Sequence, residues 1–306
     1  MASCSKCNTA AVTHIRYSGQ HLCEEHFLRF FRQRTRAALR EQGRLPEGLT
    51  VVALSGGKDS VACLDVLHDV AQEHPRIDLA AVSVDEGIAG YRESALDICR
   101  QVTEERGIPW HLVSVKELAG YDIDEYAAGG GKAPTGEDRP ACGPCGVFRR
   151  LGMNQVAREL GAKAVATGHN LDDMAQTILM NVLGGDVERL GRLAPHDTTQ
   201  PGLVRRILPL RMVPEKEVLL YALLKGLPLH HEAECPYAGR ANRFALRDVL
   251  WGLEADQPGT RHRLLAFQDK LKPMLAGRDV APATACPTCG EPTSGATCKA
   301  CDWRAL

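Results

Sequence analysis

No stretch of these 306 residues approaches the roughly 20 consecutive apolar positions that a membrane helix needs. The apolar run of an export signal is missing too, because Cys4 and Lys6 stand where it would lie, and a cytoplasmic protein without membrane contact is the expectation. There is no excess charge of either sign. With 37 Lys and Arg against 38 Asp and Glu, any affinity for nucleic acid has to come from segregated basic patches. Repeats at solenoid periods are absent, and so is the Gly-x-x-x-x-Gly-Lys-[Ser/Thr] spacing of a Walker A loop. What is present is 44% hydrophobic residues, enough for a substantial core in one principal domain with appendages.

Residues 50–60, Thr-Val-Val-Ala-Leu-Ser-Gly-Gly-Lys-Asp-Ser, run an apolar strand through Ala53 into a glycine turn that opens a helix. Backbone N–H groups after Ser55 can point at an anion, Gly56 and Gly57 allow close approach, and the new helix adds its positive end. Ser55, Lys58 and Ser60 supply further donors. Asp59 would repel a phosphate unless a cation such as Mg²⁺ lay between them.

Twelve cysteines in a chain without an export signal favour metal over disulfides. Cys4-x-x-Cys7 followed by Cys23-x-x-His26 offers two pairs of soft ligands, each able to grip one edge of a tetrahedron, with Thr13 to Gly19 as a small hairpin between them. Cys286-x-x-Cys289 and Cys298-x-x-Cys301 form a second four-ligand set. Two structural Zn²⁺ ions are expected. Cys63 and Cys99 sit among apolar neighbours on helices and read as buried small hydrophobes. Cys142-Gly-Pro-Cys145 stands instead at a helix start, where thiolates are stabilised, and Cys235 precedes a proline as cluster ligands often do. Three thiols fit a [4Fe–4S] cluster with one open iron, a disulfide or persulfide pair, or a third zinc.

Strands alternating with helices imply an α/β fold with a doubly wound parallel sheet, whose ligands bind at the carboxyl ends of the strands. The pattern predicts helices over 60–70, 91–106 and 146–160, and from Asp172 or Asp173 to Leu183; strands are predicted over 78–85, 110–116 and 163–167. A polar, glycine-rich stretch from Gly129 to Pro140 reads as a mobile loop. The phosphate loop, Asp85-Glu86-Gly87 and Gly168-His169-Asn170-Leu171-Asp172-Asp173 all fall at strand ends and should line one cleft. There Asp173 would join Asp59 on Mg²⁺, Asp172 would cap a helix or face the nucleotide, His169 would touch the nucleotide, and Lys58 would stabilise departing pyrophosphate. The segment from Phe27 to Arg44 carries six arginines beside three phenylalanines and reads as a helix with an RNA-facing side. Arg149 and Arg150 follow the second thiol of the Cys-x-x-Cys pair, where one can steady negative charge; Arg240, Arg243 and Arg247 are weaker candidates of the same kind. We divide the chain into an N-terminal zinc finger (1–27), a basic helical linker (28–48), a core with the thiol site (49–235), a helical region (236–280) and a zinc ribbon (281–306).

Together these residues resemble the cytosolic tRNA 2-thiolation family of PP-loop ATP pyrophosphatases. The likeness rests on the zinc modules, Ser-Gly-Gly-Lys-Asp-Ser, Val84-Asp85-Glu86-Gly87-Ile88-Ala89-Gly90-Tyr91-Arg92, Cys142-Gly-Pro-Cys145-Gly-Val-Phe-Arg-Arg, Gly168-His-Asn-Leu-Asp-Asp-Met and Glu234-Cys235-Pro236-Tyr237. The resemblance implies that Ser55, Gly57, Asp59 and Ser60 contact ATP, that a uridine C2 oxygen is adenylated and replaced by sulfur, and that Cys142, Cys145 and Cys235 bear the cluster. The sulfur nucleophile would be hydrosulfide on the open iron or a cysteine persulfide. The implied donor is a ubiquitin-like carrier with a C-terminal thiocarboxylate, served by its activating enzyme. The acidic turn and Arg149 resemble the wobble-uridine branch, whereas the branch acting on the T-loop uridine typically has lysine at that position. A homodimer and a heterodimer with a related subunit both fit. The alternatives are T-loop thiolation by the same chemistry, another PP-loop activity such as amidation or lysine addition, and a non-catalytic ATP- and RNA-binding zinc protein.

Overall fold

The computed structural model describes residues 2–129, 140–195, 200–229, 235–237, 243–275 and 283–304. The central residues of the stretch expected to be a mobile loop, together with Glu234, Arg240 and the side chain of Arg243, lie outside them. The chain starts with a hairpin of β1 (Thr13–Ile15) and β2 (Gln20–Leu22), then enters α1 (Glu24–Glu41), whose Phe27 and Phe31 are fully buried. Phe31 stacks on Tyr221 at 3.9 Å, which joins the hairpin and its helix to the main core rather than leaving them as a separate bead.

Next come β3 (Gly48–Ala53), α2 (Lys58–Glu73), β4 (Ile77–Asp85), α3 (Glu93–Glu104) and β5 (Trp110–Ser114). Short helices α4 (Val115–Ala119) and α5 (Ile123–Ala128) lead to α6 (Cys142–Glu159), β6 (Ala164–Ala166), α7 (Leu171–Leu183), α8 (Val187–Gly191) and β7 (Arg206–Ile207). The strands pair in parallel in the order β5-β4-β3-β6-β7. Val51, Val52, Ala81 and Val82 have 1% exposure or less, as expected for a parallel sheet covered on both faces. The strand order reverses between β3 and β6, so the crevice at their carboxyl ends is where such a sheet binds its ligands.

The chain closes with α9 (Glu215–Leu224), α10 (Arg243–Asp256), α11 (Thr260–Leu275), the β8 (Thr284–Ala285) and β9 (Pro292–Thr293) ribbon, and α12 (Lys299–Arg304). Among the described residues no helix is long and apolar enough to cross a membrane.

Three local expectations shift. The strand expected over 110–116 stops at Ser114, whose hydroxyl accepts from Glu117 N while Glu117 reaches back to Ser114 N, so a capping box starts α4 there. The helix expected from Gly146 begins at Cys142, because Pro144 falls in the first turn, where its missing N–H costs nothing. Asn170, not Asp172, caps α7: its side chain accepts from Asp173 N, and Asp173 accepts from Asn170 N.

Candidate functional site

The loop after β3 is drawn tight by Ser60, whose hydroxyl accepts from Ser55 N and shares a 3.1 Å contact with Ser55 Oγ while donating to Gly57 O at 2.9 Å. Gly56 has φ +81°, and a Cβ there would lie 2.2 Å from Ala95 O, so glycine is required for both conformation and packing. Gly57 has ordinary dihedrals, and a Cβ there would meet only Ser55 Oγ, at an ordinary contact distance of 3.7 Å. Across the crevice, a Cβ on Gly168 would stand 2.7 Å from Asp59 O and 2.9 Å from Ser60 N. That glycine lets the turn after β6 touch the backbone of the first turn of α2.

Lys58 Nζ bridges Asp59 Oδ2 at 3.0 Å and Glu215 Oε1 at 2.7 Å. Burial works against its charge, but the two carboxylates hold the ammonium above its usual range. Asp59 Oδ1 accepts from Asn170 Nδ2 at 3.0 Å; burial raises this carboxyl, and the charge of Asp173 adds to the rise. Two carboxylates that disfavour each other's ionisation are a fitting place for a divalent cation. Asp172 faces elsewhere. It is 3% exposed, pairs with Arg261 and accepts from Glu215 N at 2.8 Å, so it fixes the start of α9. His169 is exposed with Nδ1 2.8 Å from Thr167 Oγ1. Asp85 Oδ1 accepts from Gly87 N at 2.9 Å and shapes the turn after β4. Ala53 is the half-buried last residue of β3.

That turn carries a residue the composition did not single out. Glu86 is 4% exposed and takes Arg92 Nε at 2.9 Å on one oxygen and Arg149 Nε at 3.1 Å on the other. Arg92 in turn donates to Ser55 O at 2.7 Å and Val84 O at 2.9 Å. Arg149 lies against Cys145, whose thiol burial pushes up to about 11 while the guanidinium pulls the other way. The phosphate loop and the thiols are therefore joined through a run of charges that is buried at Arg92 and Glu86 and half-exposed at Arg149.

Cys142 is exposed at the first turn of α6, Cys145 is half-buried one turn later, and the Cys235-Pro236-Tyr237 segment lies over them with Tyr237 O 3.7 Å from Cys142 Sγ. Cys142, Cys145 and Cys235 influence one another electrostatically. They do not draw together as ligands of a single ion do: among the described residues, only two other sets bring their ligand atoms within 4.8 Å of one another. A cubane spreads its ligand sulfurs further than one ion, so an all-thiolate donor set at this wider spacing fits an iron–sulfur cluster better than a third zinc.

The two compact sets are Cys4, Cys7, Cys23, His26 and Cys286, Cys289, Cys298, Cys301. Tetrahedral zinc at roughly 2.3 Å from sulfur separates its ligands by roughly 3.8 Å. Cys7 and Cys23 are 3.7 Å apart, Cys4 and Cys7 each lie 3.6 Å from His26 Nδ1, and Cys286 and Cys301 are 3.9 Å apart. Backbone N–H groups, led by that of Cys298, bring the Cys286 thiol down to about 6, as thiolate ligation requires. The second set is not peripheral. Trp303 of α12 packs edge-on against Tyr126 at 5.8 Å, and a Cβ on Gly143, between the two thiols of α6, would come 3.1 Å from the indole.

Comparison with known proteins matches residues 3–28 to the model of the 2-thiouridine synthetase N-terminal LIM domain and residues 28–128 to the PP-loop domain. The tRNA 2-thiolation protein NcsA of Haloferax volcanii is 40% identical over 97% of both chains. A tRNA-5-methyluridine(54) 2-sulfurtransferase of Thermus thermophilus is 38% identical over 97% of this chain and 89% of its own. The solved U34-tRNA thiolase NcsA from Methanococcus maripaludis, with its [4Fe-4S] cluster, superposes with a TM-score of 0.84 at 32% identity, covering 99% of this chain and 95% of that one. The chain belongs to the PP-loop tRNA 2-thiolation family.

Within this member of the tRNA 2-thiolation family, three features escaped sequence reasoning. Glu86 was placed in the cleft with its neighbours Asp85 and Gly87 but given no role, Glu215 had no motif, and Asn170 was hidden beside two aspartates; the phased capping pattern Asn170-x-x-Asp173 was the one available signal. The expected RNA face of α1 is largely neutralised. Arg29, Arg32 and Arg36 pair with Glu25, Asp69 and Glu73, and Arg34 turns inward to Met212 O and His262. Cys63 and Cys99 are completely buried, and burial raises both thiols, as structural cysteines require.

Proposed function

We propose that this protein is an ATP-dependent tRNA uridine 2-sulfurtransferase acting at the wobble position. The observation that carries the reading is the single charged path from the phosphate loop to the three thiols, Ser55 O to Arg92 to Glu86 to Arg149 to Cys145. An adenylating loop beside sulfur chemistry suits a substrate whose oxygen must first become a leaving group.

The loop N–H groups, Ser55 and Ser60 hold ATP phosphates, and Asp59 and Asp173 would hold a Mg²⁺ ion that when bound supplies positive charge against the phosphates. The uridine C2 oxygen attacks the α-phosphorus and pyrophosphate leaves, its charge met by Lys58 once that ammonium exchanges Glu215 for phosphate. A sulfur nucleophile then adds at C2, and AMP departs with the former carbonyl oxygen. Cys142, Cys145 and Cys235 would hold a [4Fe–4S] cluster, which when bound supplies an iron without a protein ligand as a seat for inorganic sulfur. Arg149, half-exposed beside Cys145, steadies the negative charge of the incoming sulfur and the adenylate. Arg150 and Arg206 add cationic character beside it; burial lowers both, and the charges of Arg149 and Arg150 respectively lower them further. Crowded cations of this kind suit the phosphates of an RNA substrate.

The Cys4 and Cys286 sets hold zinc as structural ions. A cytoplasmic location, a thiocarboxylated ubiquitin-like sulfur donor and assembly as a dimer complete the proposal. Nucleoside mass spectrometry of tRNA from cells lacking the protein tests it. Loss of 2-thiouridine at the anticodon with an intact T-loop base is the expected result; the reverse pattern assigns the T-loop uridine, and no change in either overturns the reading.

A further inference from the structure

Glu86 occupies an unusual place. It is a buried carboxylate between two guanidinium groups that serve different ends of the cleft. Arg92 is itself only 6% exposed: its terminal nitrogens donate to Ser55 O and Val84 O, while its Nε faces Glu86 Oε2 at 2.9 Å as an ion pair without hydrogen-bond alignment. A rigid fork of this kind transmits position, because moving Ser55 moves the whole planar group. Arg149 differs, since its side chain is 46% exposed and only its Nε is tied back to Glu86. Its guanidinium also interacts with the Cys145 thiol.

We propose that Glu86 is a positioning residue that couples occupation of the nucleotide loop to the state of the thiol centre. Seating phosphates on the loop shifts Ser55, Arg92 follows its carbonyl, and Glu86 carries the displacement to Arg149 and so to the charge beside Cys145. Coupling is reciprocal, so loading the thiol centre must alter nucleotide affinity by the same factor. The backbone of Glu86 is held by Ile123 N donating to Glu86 O at 3.0 Å, which leaves its side chain as the moving part. Removing its charge leaves Arg92 and Arg149 as neighbouring cations without their shared anion, and the two ends then respond separately.

The inference rests on the thiolation reading for the identity of the thiol ligand, but its test needs no tRNA. The dissociation constant of a non-hydrolysable ATP analogue is measured on anaerobically purified protein with its cluster and on the same protein after cluster removal, zinc being retained. In the wild-type chain the two constants should differ by about five-fold or more. In Glu86→Gln the ratio should fall to within about two-fold of unity, and Glu86→Asp should restore part of it. The analogue should also perturb the visible circular dichroism of the cluster in wild-type protein and not in Glu86→Gln. Should Glu86→Gln fail to fold, Arg149→Gln cuts the path at its exposed end and should abolish the ratio. A wild-type ratio near unity, or an undiminished ratio in these variants, overturns the proposal. A missing tRNA product alongside an intact ratio would instead count against the thiolation reading alone.

Discussion

Two adjacent glycines of the phosphate loop should respond to very different degrees to the same added methyl group. Gly56 adopts φ +81°, a conformation that costs an L-residue about 1–2 kcal/mol. Its new Cβ would also lie 2.2 Å from Ala95 O, a backbone atom of the first turn of α3, which must retreat by about 1 Å to make room. Overpacking against a fixed element adds about 1–3 kcal/mol, so Gly56→Ala should lose about 2–5 kcal/mol in all. Gly57→Ala meets only Ser55 Oγ at 3.7 Å with ordinary dihedrals, and should cost about 1 kcal/mol or less as a poorer helix cap. Calorimetry should then place the Tm of Gly56→Ala on the order of 5–15 °C below wild type, with Gly57→Ala within about 4 °C. ATP-dependent AMP release should show a raised KM for both, because both sit under the phosphates. A Gly56→Ala protein as stable as wild type, or a Gly57→Ala protein that is the less stable of the two, would refute this account of the loop.

Acid stability offers a second check. Burial raises Glu217 from its ordinary 4.5 to about 7, so the folded protein keeps a proton that the unfolded chain releases, and this group erodes stability as pH rises through that window. Burial and the charge of Arg34 lower His262 to about 4 from 6.5; there the unfolded chain takes up the proton, and stability rises with pH. Each contributes up to roughly 3 kcal/mol, so they nearly cancel. Glu217→Gln should expose the His262 slope as a gain of up to roughly 3 kcal/mol between about pH 4 and 6.5 in urea titrations, and a flat profile would count against it. Cys286→Ser should lower bound zinc from about two ions per chain to one, lower the Tm and change Trp303 fluorescence; unaltered metal content would dismiss the ribbon site. Arg150→Ala combined with Arg206→Ala should weaken tRNA binding and reduce the slope of log affinity against log salt by about one or two units, read by filter binding at several salt concentrations.

The parallel sheet and both Cys-rich cages were legible because each is written in local signals: apolar runs such as 79–84, glycine at strand ends, and ligand pairs three residues apart. The loop from Ser55 to Ser60 was legible for the same reason. What stayed hidden depends on partners far along the chain. Asp172 looked free for a nucleotide until Arg261, 89 residues on, was found against it. Glu215 gains meaning only from Lys58, and α1 loses much of its cationic face because Asp69 and Glu73 come from α2. Capping chemistry decided the boundaries at Ser114 and Asn170, where side-chain reciprocity outweighed hydrophobic period.

The indole of Trp303 against Gly143 changes how the Cys142-Gly-Pro-Cys145 motif should be understood across relatives. The glycine there has ordinary dihedrals and is not needed to bend the chain; it is small because a ring from the far end of the polypeptide occupies the space a methyl would fill. Positions 143 and 303 should therefore vary together in evolution. Chains that replace the tryptophan with a slimmer residue are free to carry alanine or serine between the cysteines, while those that keep it are not. Such a paired pattern would mean that inheritance of the thiol motif is constrained by the ribbon's aromatic side chain as much as by whatever the sulfurs bind.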